Sequence, residues 1–260
     1  RWQTEGRYFQ TTAPATTTEF PSRSQTKVSP KLSAVFKPRG DVTLRASIGS
    51  SFRAPSNLDL YSNTVIASST SPTGFLTSQS DPNLKPETGE GAEVGGEWRV
   101  NPQLKLGATV HRTRISNLIY TKNVDLSLNQ RVNAGSAVVQ GLELVAAIQP
   151  LPWLTLDASY AYIDSEITAN EADPSSVGKR LTVAPANIGN LSATVLHGPW
   201  TGTIGLRHSG KAYTTANNSD VVQGVPQSKD SYQMVHGKLG YQVNSMWQFN
   251  LAVNNLLDTV

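Results

Sequence analysis

The chain has 260 residues, enough for one large β domain or two ordinary domains, and its net charge of +3 is spread without the Lys/Arg run that would indicate nucleic-acid binding. The absence of cysteine excludes a disulfide framework, a thiolate metal site and a cysteine nucleophile. No run of about 18 apolar residues is present, which excludes a transmembrane helix but leaves open a transmembrane β-barrel, whose strands are apolar only at every second position.

Apolar and polar residues alternate along most of the chain, which predicts strands with one apolar face. The first clear case is 42–49, where Val, Leu, Ala and Ile alternate with Thr, Arg, Ser and Gly. The pattern recurs in the following segments: 104–111, 138–149, 154–162, 190–195 and 247–254. It predicts roughly ten strands of about 10–15 residues, longer than the strands of about 5–6 residues that are usual in soluble proteins.

The connections between these segments alternate in length. Short turns rich in Pro, Gly and Asn are predicted at 37–41, 101–102, 149–152, 197–199 and 244–245. Long polar stretches separate them, at 54–87, about 120–130, 167–184 and 214–230. This asymmetry is typical of an all-β, antiparallel transmembrane β-barrel with short periplasmic turns and long extracellular loops.

Four tryptophans lie within about three residues of a short turn: Trp98, Trp153, Trp200 and Trp247. On antiparallel strands these positions fall at one height. An indole ring is apolar but needs a partner for its N–H, so the ring of tryptophans predicts a membrane interface. The alternate residues from Leu154 to Tyr160 would then face lipid. The alternative is a soluble β-sandwich or propeller.

The sequence contains no convincing catalytic pattern, so we predict neither an enzyme nor a bound cofactor or metal. The four histidines lack metal-ligand spacing. A Ser-x-x-Lys match at 176–179 falls in a predicted loop, and the glycines of 89–96 enter a predicted strand without dinucleotide-binding spacing.

Several segments, in order, resemble the C-terminal part of TonB-dependent outer-membrane receptors. They are SFRAPSNLDLYS (51–62), DPNLKPETGEGAEVG (81–95), the hairpin that begins NAGSAVVQGLELV (133–167), VAPANIGNLSA (183–193) and LAVNNLLDTV (251–260). The resemblance extends over about 28–260. It implies a barrel of about 22 strands, of which about 10–11 are present here. The family's plug domain, TonB box and final strand are not found, so we expect 1–260 to be a fragment of the barrel domain.

The resemblance also implies a function. A receptor of this family in the outer membrane of a Gram-negative bacterium would bind a metal chelate, most often a ferric siderophore, and import it when TonB acts on the plug. The implied partners are the lipid bilayer, the siderophore and TonB. The alternatives are a receptor for cobalamin or an oligosaccharide, a passive porin-type or adhesion barrel, and a soluble carbohydrate-binding module or lytic enzyme.

Inward-facing cations and aromatic rings near the long loops are candidates for binding an anionic chelate. These candidates are Arg53, Arg131, Arg207, Lys211, Tyr213 and Tyr232, with His111 and His236 on the same predicted face. Deeper in the lumen, Arg45, Glu93 and Glu97 are predicted to face the plug. Both groups could instead be hydrated wall residues. The loop 54–87 is predicted either to close over ligand or to be a flexible surface loop.

Overall fold

A computed structural model describes residues 2–10, 16–222 and 224–258. Its elements in chain order are β1 (Trp2–Gln10), β2 (Thr16–Gln25), β3 (Lys31–Arg39), β4 (Val42–Arg53), α1 (Asn57–Tyr61), β5 (Thr64–Ala67), β6 (Phe75–Gln79), β7 (Glu87–Asn101), β8 (Leu104–Asn123), β9 (Leu128–Leu151), β10 (Leu154–Asn170), a 3-10 helix (Pro174–Ser176), β11 (Asn187–His197), β12 (Trp200–Ser209), β13 (Ala212–Tyr213), β14 (Val221–Val222), β15 (Val225–Pro226), β16 (Ser228–Lys229), β17 (Tyr232–Gln242) and β18 (Gln248–Val253). Within these residues no helix has the length and hydrophobicity needed to cross a membrane.

Ten strands form one meandering sheet in the order β3-β4-β7-β8-β9-β10-β11-β12-β17-β18, with every neighbouring pair antiparallel. The hairpin β5–β6 joins the sheet at its side, where β6 pairs in parallel with β9. Three further pairs of strands form two-stranded sheets of their own: β1–β2, β13–β16 and β14–β15. The predicted all-β antiparallel architecture is confirmed.

One prediction about the connections was wrong. The stretch at 120–130 is not a long loop, because β8 and β9 continue to pair as far as Asn123 and Asn129 and leave only residues 124–127 between them. These two strands have 20 and 24 residues, which exceeds the predicted length. Polar residues such as Thr121 and Arg131 are compatible with pairing here because this part of the hairpin extends past the apolar part of the sheet.

The sheet has one apolar and one polar face. Paired residues on adjacent strands point to the same side, and one continuous row on the apolar face consists of Val42, Trp98, Leu106, Ala146, Ala158, Leu191, Leu206 and Val235. The next row, on the polar face, consists of Thr43, Glu97, Gly107, Val145, Ser159, Asn190, Arg207 and Met234. The alternation read from the sequence therefore sorts the side chains correctly.

The apolar face is not covered by a second layer in the described part of the chain. Several large aliphatic side chains on it are more than half exposed, among them Ile48, Val94, Ile204 and Leu251. The few buried hydrophobic residues of the described chain are Leu60, Tyr61, Leu84, Ala137 and Ile167, which lie toward the long loops. The main apolar surface of the sheet therefore remains exposed in the folded chain, and something other than the described residues must cover it.

The apolar face extends over the same number of residues on four of the strands. On four strands, eight positions separate the residue nearest the short turns from the first polar residue of that face: Val42 and Ser50, Leu104 and Arg112, Ile148 and Gln140, Trp200 and His208. At about 3.3 Å per residue this is roughly 26 Å along each strand, before strand tilt is taken into account. The value is of the same order as the apolar band of about 25 Å on outer-membrane barrels.

Two adjacent residues of β9 test which face meets lipid. Leu144 lies on the apolar face midway between Ile148 and Gln140, and Val145 lies next to it on the polar face. In the full-length receptor folded in vesicles, we expect Leu144→Arg to lower the free energy of unfolding by about 2–4 kcal/mol, because the charge would enter hydrocarbon. Val145→Arg, measured by the same urea titration, should change it by less than about 1 kcal/mol. Equal losses would show that Leu144 does not face lipid.

Candidate ligand-binding rim and lumen wall

The connections sort onto two opposite edges of the sheet, the short-turn rim and the long-loop rim. The short-turn rim contains the β3–β4, β7–β8, β9–β10, β11–β12 and β17–β18 connections. The long-loop rim contains the connections 54–86, 124–127, 171–186 and 210–231. The sorting follows from the antiparallel meander, in which alternate connections must fall on the same edge.

The four tryptophans all lie at the short-turn rim, with 45–62% of their surface exposed. Trp98 donates its indole N–H to Asp41 Oδ2 at 3.2 Å, and Trp200 packs against Tyr241 with ring centroids 4.5 Å apart. Trp153 precedes β10, and Trp247 precedes β18. Their common height agrees with the pattern in the sequence, and their contact with a membrane interface stays a prediction.

Arg45, Glu93 and Glu97 lie together on the polar face of β4 and β7, and their contact with a plug stays a prediction. Arg45 Nη2 is 3.0 Å from Glu97 Oε1, and Lys105 Nζ is 2.6 Å from Glu97 Oε2. Glu93 accepts a hydrogen bond from Ser47 Oγ at 2.8 Å. The charge of Glu97 is thus neutralised by Arg45 and Lys105. Glu93 forms no ion pair with any described residue, so it is the better candidate to pair with a cation from another part of the receptor.

Sequence reasoning missed Lys105, although its position in the alternation 104–110 was a usable signal. Residues of odd number in that segment share the polar face, and Lys105 lies diagonally across from Glu97. The strand register that brings the two together is set by the β7–β8 turn. If the turn were predicted one residue longer or shorter, the predicted register would no longer place Lys105 beside Glu97.

The base of the loop 54–86 is closed by Arg53. Its Nε and Nη2 atoms each donate to a carboxylate oxygen of Glu87 at 2.6 Å. Glu87 also accepts the backbone N–H of Ile119 at 3.0 Å, and its side chain is only 11% exposed. A bidentate, half-shielded pair of this kind is stronger than an exposed one. Arg53 therefore joins the two ends of the loop to β8.

The interior of the loop 54–86 is also held to the sheet. Leu60, Tyr61 and Leu84 form a buried cluster against Ile119 of β8. Asn133 of β9 accepts the N–H of Lys85 at 2.7 Å and donates to its carbonyl at 2.9 Å. These contacts favour a loop that is packed onto the long-loop rim over the alternative of a flexible surface loop.

Within this loop, helix α1 is the element that contacts the candidate residue Arg131. Ser56 and Asp59 form a reciprocal capping box at the start of α1. Asp59 Oδ1 lies 3.6 Å from Arg131 Nε, and Arg131 Nη1 donates to Thr121 Oγ1 at 2.9 Å. Arg131 thus positions the helix, which leaves only part of its guanidinium for a ligand.

The remaining candidates lie in or beside the loop 210–231. Lys211 Nζ is 2.5 Å from Asp220 Oδ1 and 5.4 Å from the Tyr213 ring centroid. Their hydrogen bond raises the pKa of Lys211 and lowers the pKa of Asp220, so the pair is charged at neutral pH and is lost as acid protonates Asp220. Lys229, which sequence reasoning missed, lies 4.7 Å above the Tyr232 ring.

Arg207 differs from the other candidate cations. It lies on the polar face of β12, between Asn190 and Met234 on the adjacent strands. It forms no ion pair with any residue that the structure describes, whereas Arg53, Arg131 and Lys211 each have a carboxylate partner. The six candidates therefore form two groups, one around the loop 54–86 and one between β12 and β17.

The Ser-x-x-Lys match has a structural role. Ser176 is fully buried in the 3-10 helix, accepts a hydrogen bond from Asn170 Nδ2 at 2.9 Å and donates to the Asp173 carbonyl at 2.7 Å. Within 2–10, 16–222 and 224–258, no group of three or more potential ligands is arranged to hold a metal.

An antiparallel sheet with an exposed apolar face, a polar face with charged side chains and loops sorted by length is part of the wall of a transmembrane β-barrel. The chain belongs to the TonB-dependent receptors: residues 1–256 match the family model described as "TonB dependent receptor-like, beta-barrel".

Two curated relatives are named siderophore receptors. The catecholate siderophore receptor Fiu of Escherichia coli K12 is 28% identical over 184 residues, which cover 68% of this chain and 23% of Fiu. The probable TonB-dependent siderophore receptor PiuA of Acinetobacter baumannii is 27% identical over 237 residues, which cover 84% of this chain and 30% of PiuA. The chain thus spans less than a third of the length of either relative.

Solved receptors share the fold. The structure of Fiu from E. coli superposes with a TM-score of 0.69 at 23% identity, over 94% of this chain and 32% of that one. A variant of the ferric enterobactin receptor PfeA of Pseudomonas aeruginosa, in complex with enterobactin, gives 0.71 at 20% identity, over 88% and 35%.

The Glu87 contacts predict how the loop 54–86 responds to mutation. Glu87→Gln removes the charge that holds Arg53 and weakens the acceptor for Ile119 N–H, at a cost of about 1–3 kcal/mol of local stability. In the full-length receptor, hydrogen exchange should quicken in 54–86 and at Ile119 but not in the apolar band. Glu90→Gln, three residues along β7 on the apolar face, is the control. If both variants exchanged alike, Glu87 would not anchor the loop.

Proposed function

We propose that the complete receptor binds a ferric siderophore of the catecholate class at the long-loop rim and imports it across the outer membrane of a Gram-negative bacterium. The observation that carries the proposal is the group of cations and aromatic rings between β12 and β17, in a chain whose curated relatives include catecholate siderophore receptors. Ferric catecholates are anionic and present flat aromatic rings, so both kinds of side chain match them.

We assign to Arg207 the role of pairing with the negative charge of the chelate. A guanidinium on the wall with no carboxylate partner among the described residues retains donors for an anionic ligand. Tyr213 and Tyr232, each beside a lysine, supply ring surfaces at the entrance. Arg53 and Arg131 have a second role in this proposal, since they hold the loop 54–86 from which ligand contacts would come.

The transport step is assigned to the plug that the family carries inside its barrel. Glu93 on the polar face would contact a plug cation, and the Arg45–Glu97–Lys105 group would stay within the wall. TonB, acting on the plug, would open the passage, and no covalent chemistry is required. The tryptophans of the short-turn rim would hold the barrel at the periplasmic interface.

The test uses a strain that lacks the full-length gene. We expect deletion to abolish uptake of iron from ferric catecholates and a plasmid copy to restore it. Arg207→Gln should weaken binding of ferric enterobactin by about 10-fold or more, because it removes a charge-assisted hydrogen bond. Arg99→Gln, a loss of the same charge from the polar face near the short-turn rim, is the control and should bind normally.

Three results would contradict the proposal. Unchanged uptake of every ferric chelate in the deletion strain would remove the siderophore. Loss of cobalamin or oligosaccharide uptake instead would assign one of those ligands. Uptake that persists without TonB would indicate a passive pore.

A further inference from the structure

Two arginines on β8 project from the apolar face at its boundary with the long-loop rim. Arg112 lies opposite Ala92 and Gln140, and Arg114 lies one step further from the short turns on the same face. Both are exposed, and the residue of that face just before them is Val110. Arginine is an unexpected choice here, since this face is apolar for the eight positions below.

A row of hydrogen bonds at this height fixes one guanidinium and neutralises the neighbouring carboxylate. Arg112 Nη1 donates to Gln140 Oε1 at 3.0 Å, and Gln140 Nε2 donates to Asp164 Oδ2 at 3.0 Å. Asp164 Oδ1 lies 3.7 Å from Arg180 Nη1. Asp164 is therefore already paired, and neither Arg112 nor Arg114 has a carboxylate at ion-pair distance among the described residues.

An apolar groove of about 450 Å³ is lined by Arg112 and extends from it toward the short-turn rim, while Arg114 lies one step beyond it. Its apolar walls are Val94, Val110, Leu142 and Tyr162, and Arg112, Gln140 and Asp164 line its other end. A ligand that fills it must be apolar at one end and must accept hydrogen bonds at the other. A membrane lipid has this order of parts, and its direction matches the boundary between hydrocarbon and headgroups.

We propose that Arg112 and Arg114 bind the phosphate of an outer-leaflet lipid headgroup while an acyl chain of that lipid lies in the groove. The charge argues for phosphate: no described carboxylate lies at ion-pair distance from either guanidinium, although Glu90 is opposite Arg114 on β7, and phosphate oxygens accept paired guanidinium N–H donors bidentately. The site rests on the membrane orientation in the proposed function but not on the identity of the imported chelate. We name this surface the Arg112–Arg114 lipid site.

The test uses the full-length receptor in detergent, with lipid adducts counted by native mass spectrometry. The probes are a bisphosphorylated lipid A and the same lipid after dephosphorylation. The Arg112→Gln/Arg114→Gln double variant should retain the phosphorylated lipid about 10-fold or more less well, because it loses charge-assisted hydrogen bonds, and should treat the dephosphorylated lipid as the unmodified receptor does.

Arg39→Gln is the matched control, since Arg39 lies at the opposite margin of the apolar face and has Asp41 as its partner at 3.1 Å. It should not change retention. Equal retention by the double variant would overturn the site. Equal loss of both lipids would also overturn it, because the arginines would then support binding without contacting the phosphate. Ferric chelate uptake by the double variant should stay normal, so a failure of the siderophore assignment would not be mistaken for a failure of the lipid site.

Discussion

The structure depends on one constraint: every second side chain of this sheet needs an apolar surrounding that the described protein does not supply. The pleat sends alternate residues to opposite faces, so the row from Val42 to Val235 is apolar across eight strands, while most residues of the row beside it are polar. A soluble protein would cover such a surface with a second layer. Hydrocarbon is the alternative, and it also explains why the eight inner strands of the sheet are paired on both sides, because unpaired backbone groups are not tolerated in lipid.

The two rims follow from the same constraint. At the short-turn rim the chain only reverses direction, so the turns are short, and the four tryptophans lie beside them. At the long-loop rim the connections are longer and fold into structures of their own, among them the packed loop 54–86. The anchors of the loop 54–86 begin there: Arg53 follows Ser50, the first polar residue on the apolar side of β4. One sheet can therefore combine a regular wall with chemically varied loops at one of its edges.

The sequence was sufficient to predict the repeating features of the sheet, its two faces and its short-turn rim, but not the contacts that hold the long loops. Period-two alternation located the faces, and Trp98 and Trp200 located the rim, because both signals are local. The contacts that organise the long-loop rim connect distant residues: Glu87 with Ile119, Asp59 with Arg131, Asn133 with Lys85. No local pattern encodes them. The stretch 120–130 was assigned to a loop because it is polar, yet it pairs as strand, since outside the apolar band polarity no longer marks the end of a strand.

The central claim is that the apolar face contacts lipid, and nitroxide labels along β9 test it most directly. The 260 residues contain no cysteine, so single cysteines at 142–148 can be labelled in the full-length receptor in vesicles once any cysteine outside this segment has been replaced by serine. Collision with oxygen, which concentrates in hydrocarbon, should peak at Leu142, Leu144, Ala146 and Ile148. Collision with a water-soluble nickel complex should peak at the residues between them. Labels at the even positions that meet water as readily as their neighbours, or that are shielded from both reagents, would contradict the account.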